Sequence, residues 1–203
     1  MKQYFVTGIS TGIGKTICSA VLVEKLQADY WKPIQSGDLD KSDSLTVGSL
    51  VSNTLTRIHP ERFRLNNPLS PHRSAKIDGI QIQLPDFMLP LTENNLIVEG
   101  AGGLMVPLND RELILDLIKH LDMEVIVVSE NYLGSINHTL MTLAVLKDHD
   151  IKIKGIVFNG ASNEDSESYI ENYTGVNVLG HVPLFPSVNK SSIQHATQYI
   201  TGL

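Results

Sequence analysis

The chain has 203 residues, 42% of them hydrophobic and 19% charged, with a formal net charge of -6 at pH 7. That length suits one domain, residues 1–203, with a sizeable buried core, and the composition excludes disordered and fibrous classes. An acidic balance without clustered Lys and Arg argues against a nucleic-acid partner, and a lone cysteine, Cys18, excludes an internal disulfide and points to a reducing, cytoplasmic compartment.

Residues 3–7 read as a first strand, and the apolar run there is too short for a signal peptide or a membrane span. GISTGIGKT follows at residues 8–16, and residues 15–28 then carry Ile17, Ala20, Val21, Val23 and Leu26 at the spacing of a helix with one buried stripe. Cys18 lies in that pattern as a small buried apolar residue. Strand, glycine-rich turn, Lys-Thr and helix in this order form the context of a phosphate-binding loop. The glycines let backbone N–H groups converge, and the helix adds the positive end of its dipole. Lys15 is placed to reach β- and γ-phosphates, and Thr16 to set its hydroxyl on Mg²⁺. The generic pattern has about four residues between its first Gly and the Gly-Lys pair; here Gly8 and Gly14 enclose one more.

Residues 30–34 read as a second strand, after which Pro33 and Gly37 force a turn that leaves Lys32 and Ser36 near the strand's end. Lys32 is either a desolvated cation beside transferring phosphate or a surface lysine lying along apolar neighbours. Asp43, in KSDSL, is either a metal-organising acid or a helix N-cap. Pro68, Pro71, Pro85 and Pro90 break up residues 65–90, which read as loop with short helices, either substrate-binding or merely a solvated connection.

Residues 95–98 read as a third strand, and LIVEGAGGL sets Glu99 at its carboxyl end, the edge of an open α/β sheet where ligands bind. One or two carboxylates plus nucleotide phosphates suffice for Mg²⁺, although an acid after an apolar strand also serves as a loop residue or cap. Gly100, Gly102 and Gly103 allow the backbone close to a ligand. Residues 113–121 and 136–149 read as helices, 124–129 and 155–159 as strands, and 176–181 as a sixth strand. The alternation predicts an α/β fold with a mostly parallel, doubly wound sheet and helices on both faces, P-loop NTPase-like.

FVTGISTGIGKT, WKPIQSG, SDS, SPH, VEGAGG, LGSINH and VFN occur in an order and spacing that resembles the dethiobiotin synthetase family, including the extra residue of the phosphate loop. The resemblance spans nearly the whole chain. It implies a homodimer that uses ATP, Mg²⁺ and CO₂ to close a cyclic urea on 7,8-diaminononanoate, in biotin biosynthesis. It further implies that Gly12, Ile13, Gly14, Lys15, Thr16 and Ile17 hold ATP phosphates. Thr16, Asp43 and Glu99 organise Mg²⁺, with Gly100, Ala101 and Gly102 beside the nucleotide. By the same resemblance Lys32 and Lys15 are catalytic, and Ser36 and Thr11 contact substrate. Asn159 recognises adenine, with Gly160, Pro183, Leu184 and Phe185 lining the nucleotide pocket. His72 and His138 are given no catalytic role. Many members of the family carry Asp where this chain has Ser10.

A regulatory ATPase of the partition or cell-division type shares the fold class and would bind membranes or protein partners. Such proteins usually carry another Lys early in the phosphate loop, and none lies between Gly8 and Gly14. No basic amphipathic tail is present to suggest a membrane surface. Cys18 alone cannot ligate an iron–sulfur cluster, and Asn159, Gly160, Ala161, Ser162 is not the Asn-Lys-x-Asp of a guanine reader. The scattered histidines lack zinc-ligand spacing.

Overall fold

A computed structural model describes residues 1–203. The elements run, in chain order, β1 (Gln3–Gly8), α1 (Lys15–Leu26), β2 (Asp29–Trp31), β3 (Ile34–Ser36), α2 (Asp43–Leu50), β4 (Ile58–His59), β5 (Phe63–Leu65), α3 (Pro71–Asp78), β6 (Leu96–Glu99), α4 (Ile114–Leu121), β7 (Glu124–Glu130), α5 (Ser135–Asp148), β8 (Ile153–Gly160), α6 (Glu164–Thr174), β9 (Val178–Pro183) and α7 (Lys190–Ala196). Seven strands form one sheet in the order β4-β2-β6-β1-β7-β8-β9, with every neighbouring pair parallel. The remaining two, β3 and β5, make a small parallel sheet of their own.

Alternation along each strand sends side chains to opposite faces, and both faces are apolar here. Phe5, Val125 and Val127 pack under α4, α5 and α6, whereas Val6, Ile126 and Val128 pack with Cys18, Val21 and Leu22 of α1 and Ile193 of α7. Burial on both faces explains why the strands read as nearly continuous apolar runs. No helix is long and apolar enough to cross a membrane.

The structure moves several boundaries, among them the three that follow. The expected strand at 30–34 is two elements, because Pro33 has no N–H with which to extend the ladder. The chain leaves the large sheet after Trp31 and joins β5 from Ile34, with Lys32 at the bend. Helix α1 ends at Leu26 rather than Ala28, since Gln27 turns left-handed with φ 49°. Strand β9 lies two residues further on than expected, ending at Pro183, which is registered with Gly160. Residues 65–90 contain α3 and a short 3₁₀ turn, as expected of a proline-broken segment.

Candidate functional site

The carboxyl ends of β1, β2 and β6 open on one cleft of about 810 Å³. The phosphate loop forms one wall. Helix α1 starts without a side-chain cap and without an acid in its first turn, so its N-terminal dipole faces the cleft uncompensated. Gly14, just before it, has φ +82°, and a Cβ there would run into the amide of Asn159. Gly14→Ala combines backbone strain with that collision, so it is expected to lower the unfolding free energy by about 1–3 kcal/mol in urea titration and to weaken anion binding. Wild-type stability in that variant would show the loop to be more compliant than its geometry.

Lys15 is nearly buried, and its Nζ donates to the Ser10 carbonyl at 3.0 Å. Burial, followed by the positive charge of Lys32, outweighs the pull of Glu99 and Asp43 and brings its pKa down to about 8. Ser10 thus meets the lysine through its backbone rather than its side chain.

The acids occupy the opposite wall. Glu99, 1% exposed, ends β6, and Asp43 is the first residue of α2. The cap of α2 is Ser42, whose hydroxyl accepts from Leu45 N at 3.3 Å, which leaves the Asp43 carboxylate free to face the cleft. Thr16 Oγ1 donates within 2.8 Å of Asp43 Oδ1 and lies 3.1 Å from Glu99 Oε1. Lys32 is 4% exposed, so it is a desolvated cation and not a surface lysine. Its Nζ contacts Asp43 Oδ2 at 2.6 Å, Glu99 Oε1 at 3.0 Å and the Gly100 carbonyl at 2.9 Å, which engages all three donors. Burial pulls the Lys32 pKa down, but the carboxylates of Glu99 and Asp43 more than reverse this and raise it. Burial likewise pushes Asp43 up, and the Lys32 ammonium overrides it, so that Asp43 ends below its ordinary value.

Two buried polar side chains that the sequence reading passed over support this cluster. Tyr30 Oη donates to Glu99 Oε2 at 2.9 Å, and Gln35 Oε1 accepts from Asp43 N at 3.1 Å. A tyrosine or glutamine inside a β-run looks like ordinary strand composition. Only tertiary structure reveals what each one touches, the end of the neighbouring strand for Tyr30 and the start of α2 for Gln35.

Ser36, at the end of β3, has a buried hydroxyl with no hydrogen-bond partner and lies on the cleft wall with Pro68, Leu69, Ser70 and Pro71. Residues 68–71 of the proline-broken segment therefore line the cleft. Thr11, Gly12, Gly14, Lys15, Thr16, Ile17, Lys32, Asp43, Glu99, Ala101 and Gly102 meet in the same cleft. Ile13 and Gly100 are buried behind it.

The residues expected around a base stand apart. Asn159 reaches the loop, donating through Nδ2 to the Ile13 carbonyl at 3.1 Å, and Gly160 follows it with φ +96°. Leu184 is exposed, and Phe185 packs on the α1 face of the sheet. His72 pairs with Ser70 and His138 with Tyr132, and neither lines the main cleft. His138 instead borders an adjoining apolar groove of about 360 Å³ with Met105 and Met141.

Residues 2–192 match the protein family described as an AAA domain. The chain is 50% identical over 194 residues to the ATP-dependent dethiobiotin synthetase BioD of Cytophaga hutchinsonii, covering 95% of this chain and 94% of that protein. It is 44% identical over 195 residues to the protein of the same name from Brucella ovis, covering 96% and 92% respectively. Among solved structures, the cell division ATPase MinD of Pyrococcus furiosus superposes with a TM-score of 0.63 at 13% identity, over 98% of each chain. A ParA family ATPase from Chlorobium tepidum TLS gives 0.52 at 16% identity, over 98% of this chain and 100% of that one. At such identities the likeness is one of fold alone.

Proposed function

This chain belongs to the ATP-dependent dethiobiotin synthetase family, and from that premise we propose that it closes a cyclic urea on 7,8-diaminononanoate with CO₂ and ATP, releasing dethiobiotin, ADP and phosphate. The observation that carries this reading is the meeting of a phosphate loop with the Lys32, Asp43 and Glu99 cluster in one cleft, in a chain half identical to its relatives along nearly all its length.

The reaction runs through three bonds. One amine adds CO₂ to give a carbamate, a carbamate oxygen attacks the γ-phosphorus and displaces ADP, and the second amine attacks the resulting anhydride carbonyl and expels phosphate. Backbone N–H groups of residues 12–17 hold the phosphates at the start of α1. Lys15 leaves the Ser10 carbonyl to meet the β- and γ-phosphates, and Lys32 turns one N–H from its acids toward the transferring group, where it offsets growing negative charge. Ser36, whose hydroxyl lacks a partner, and Thr11 hold the diamine or its carbamate. Much of the rate advantage comes from fixing amine, carbamate and phosphate in one geometry. Asn159 keeps one N–H on Ile13 and has its other N–H and its oxygen for adenine, while Gly160, Pro183, Leu184 and Phe185 form the walls around the base.

The donor set suits Mg²⁺. One hydroxyl and two carboxylate oxygens converge within hydrogen-bond reach, and hard oxygen donors of this number serve an ion that keeps several waters. Thr16, Asp43 and Glu99 would hold it, and it would supply positive charge that offsets the negative charge of the nucleotide phosphates.

Residues 1–203 act as one domain, assembled as a homodimer through the face that carries exposed Met105 and Met141. Sedimentation at assay concentration tests this, and a fully active monomer overturns it.

With Lys15 at about 8 in the free protein, a phosphate that favours the ammonium makes ATP binding take up protons near pH 8, and affinity falls as the pH rises beyond it. Calorimetry in buffers of differing ionisation enthalpy reads the proton count. Release, or no exchange, would contradict the assignment of Lys15. The reaction itself is tested by mass-spectrometric detection of dethiobiotin from 7,8-diaminononanoate, bicarbonate, ATP and Mg²⁺. Product that requires all four is expected; ATP binding without product would reduce the reading to a nucleotide-binding fold.

A further inference from the structure

Tyr30 stands in the middle of β2, registered with Ile97 of β6, and is fully buried on the α1 face. Its ring fills space that a phenylalanine would fill equally well. Its hydroxyl does something else: it crosses to the end of the neighbouring strand and donates to Glu99 Oε2 at 2.9 Å. The two oxygens of Glu99 are thereby divided. Oε2 is held by the phenol inside the core, and Oε1 alone faces Thr16 at 3.1 Å and Lys32 at 3.0 Å.

A carboxylate rotates freely about its last bond unless an outside donor fixes it, and it can offer a cation one oxygen or both. We propose that Tyr30 is a positioning residue for the acid that organises the divalent cation, its buried phenol pinning Oε2 of Glu99 so that Oε1 is presented to the cation beside Thr16. Partners that orient a ligating carboxylate are worth about 10–100-fold in metal affinity in known sites.

This inference rests on the assignment of Glu99 made above, and its test separates the two. Mn²⁺ serves as the probe, titrated into the ADP complex of the full chain and read by electron paramagnetic resonance as free ion. Tyr30→Phe keeps the ring and removes one oxygen, and circular dichroism confirms its fold. It is expected to raise the Mn²⁺ dissociation constant about 10-fold, while Glu99→Gln raises it further. The double variant should match Glu99→Gln alone, since Tyr30 acts only through that carboxylate. Wild-type Mn²⁺ affinity in Tyr30→Phe overturns the proposal; Glu99→Gln then shows whether the cation site itself stands. An undiminished effect of Tyr30→Phe in the Glu99→Gln background overturns it too, because the phenol would then act elsewhere.

Discussion

Lys32→Ala is expected to abolish dethiobiotin formation and to lower the unfolding free energy by about 3–5 kcal/mol, the range for removing one partner of a buried ion pair. Without the ammonium, Asp43 and Glu99 face one another across a desolvated gap with no cation between them. The sign follows from the pKa direction. Folding raises Lys32 above 10.5, so its contribution is fully present below that value and fades as the pH climbs through the folded pKa. Urea unfolding at pH 7 measures the loss. A variant as stable as the parent would mean that the acids relax apart or protonate at little cost.

Lys15→Ala is expected to cost about 10³-fold or more in turnover, since it removes a preorganised charge from the transferring phosphates. Its effect on stability should be opposite to that of Lys32→Ala. Folding lowers Lys15 from 10.5 to about 8, so the charged form is disfavoured in the native state; the penalty is full below about pH 8 and disappears between there and 10.5. At neutral pH the alanine variant should therefore unfold at the same urea concentration as the parent, or a higher one. Clear destabilisation would imply that the Ser10 contact outweighs the desolvation of the ammonium. Together the two lysines separate a cation that holds the fold from one held ready by it.

Parts of this site are legible in the sequence because they are contiguous. The phosphate loop lies between a strand and a helix within residues 3–28, and Glu99 is the last residue of a buried strand. Lys32 and Asp43 have alternatives that only tertiary structure resolves, because the lysine meets Glu99 across 67 residues of chain. The break at Pro33 was foreseeable from its missing N–H, but nothing local says that the chain resumes in a second sheet beside Phe63. Strands of two or three residues, such as β4 and β5, are too short to show any period. Helix α6, GluAspSerGlu-rich at its start, buries only Ile170 and so leaves little apolar stripe to read.

Strand β6 pairs with Gln3–Gly8 on one side and Asp29–Trp31 on the other, filling a slot between two strands that adjoin in sequence. Parallel pairing over such separations closes long loops before any contact rewards it, the circumstance that slows folding. Neither early strand can complete its ladder until this late one arrives. The phosphate loop and Lys32 thus acquire their fixed separation only when Leu96–Glu99 docks, and the strand that sets it brings the acid with it. A sheet without this strand would have the phosphate loop but neither the spacing to Lys32 nor the acid beside it, so it could not present the complete cluster.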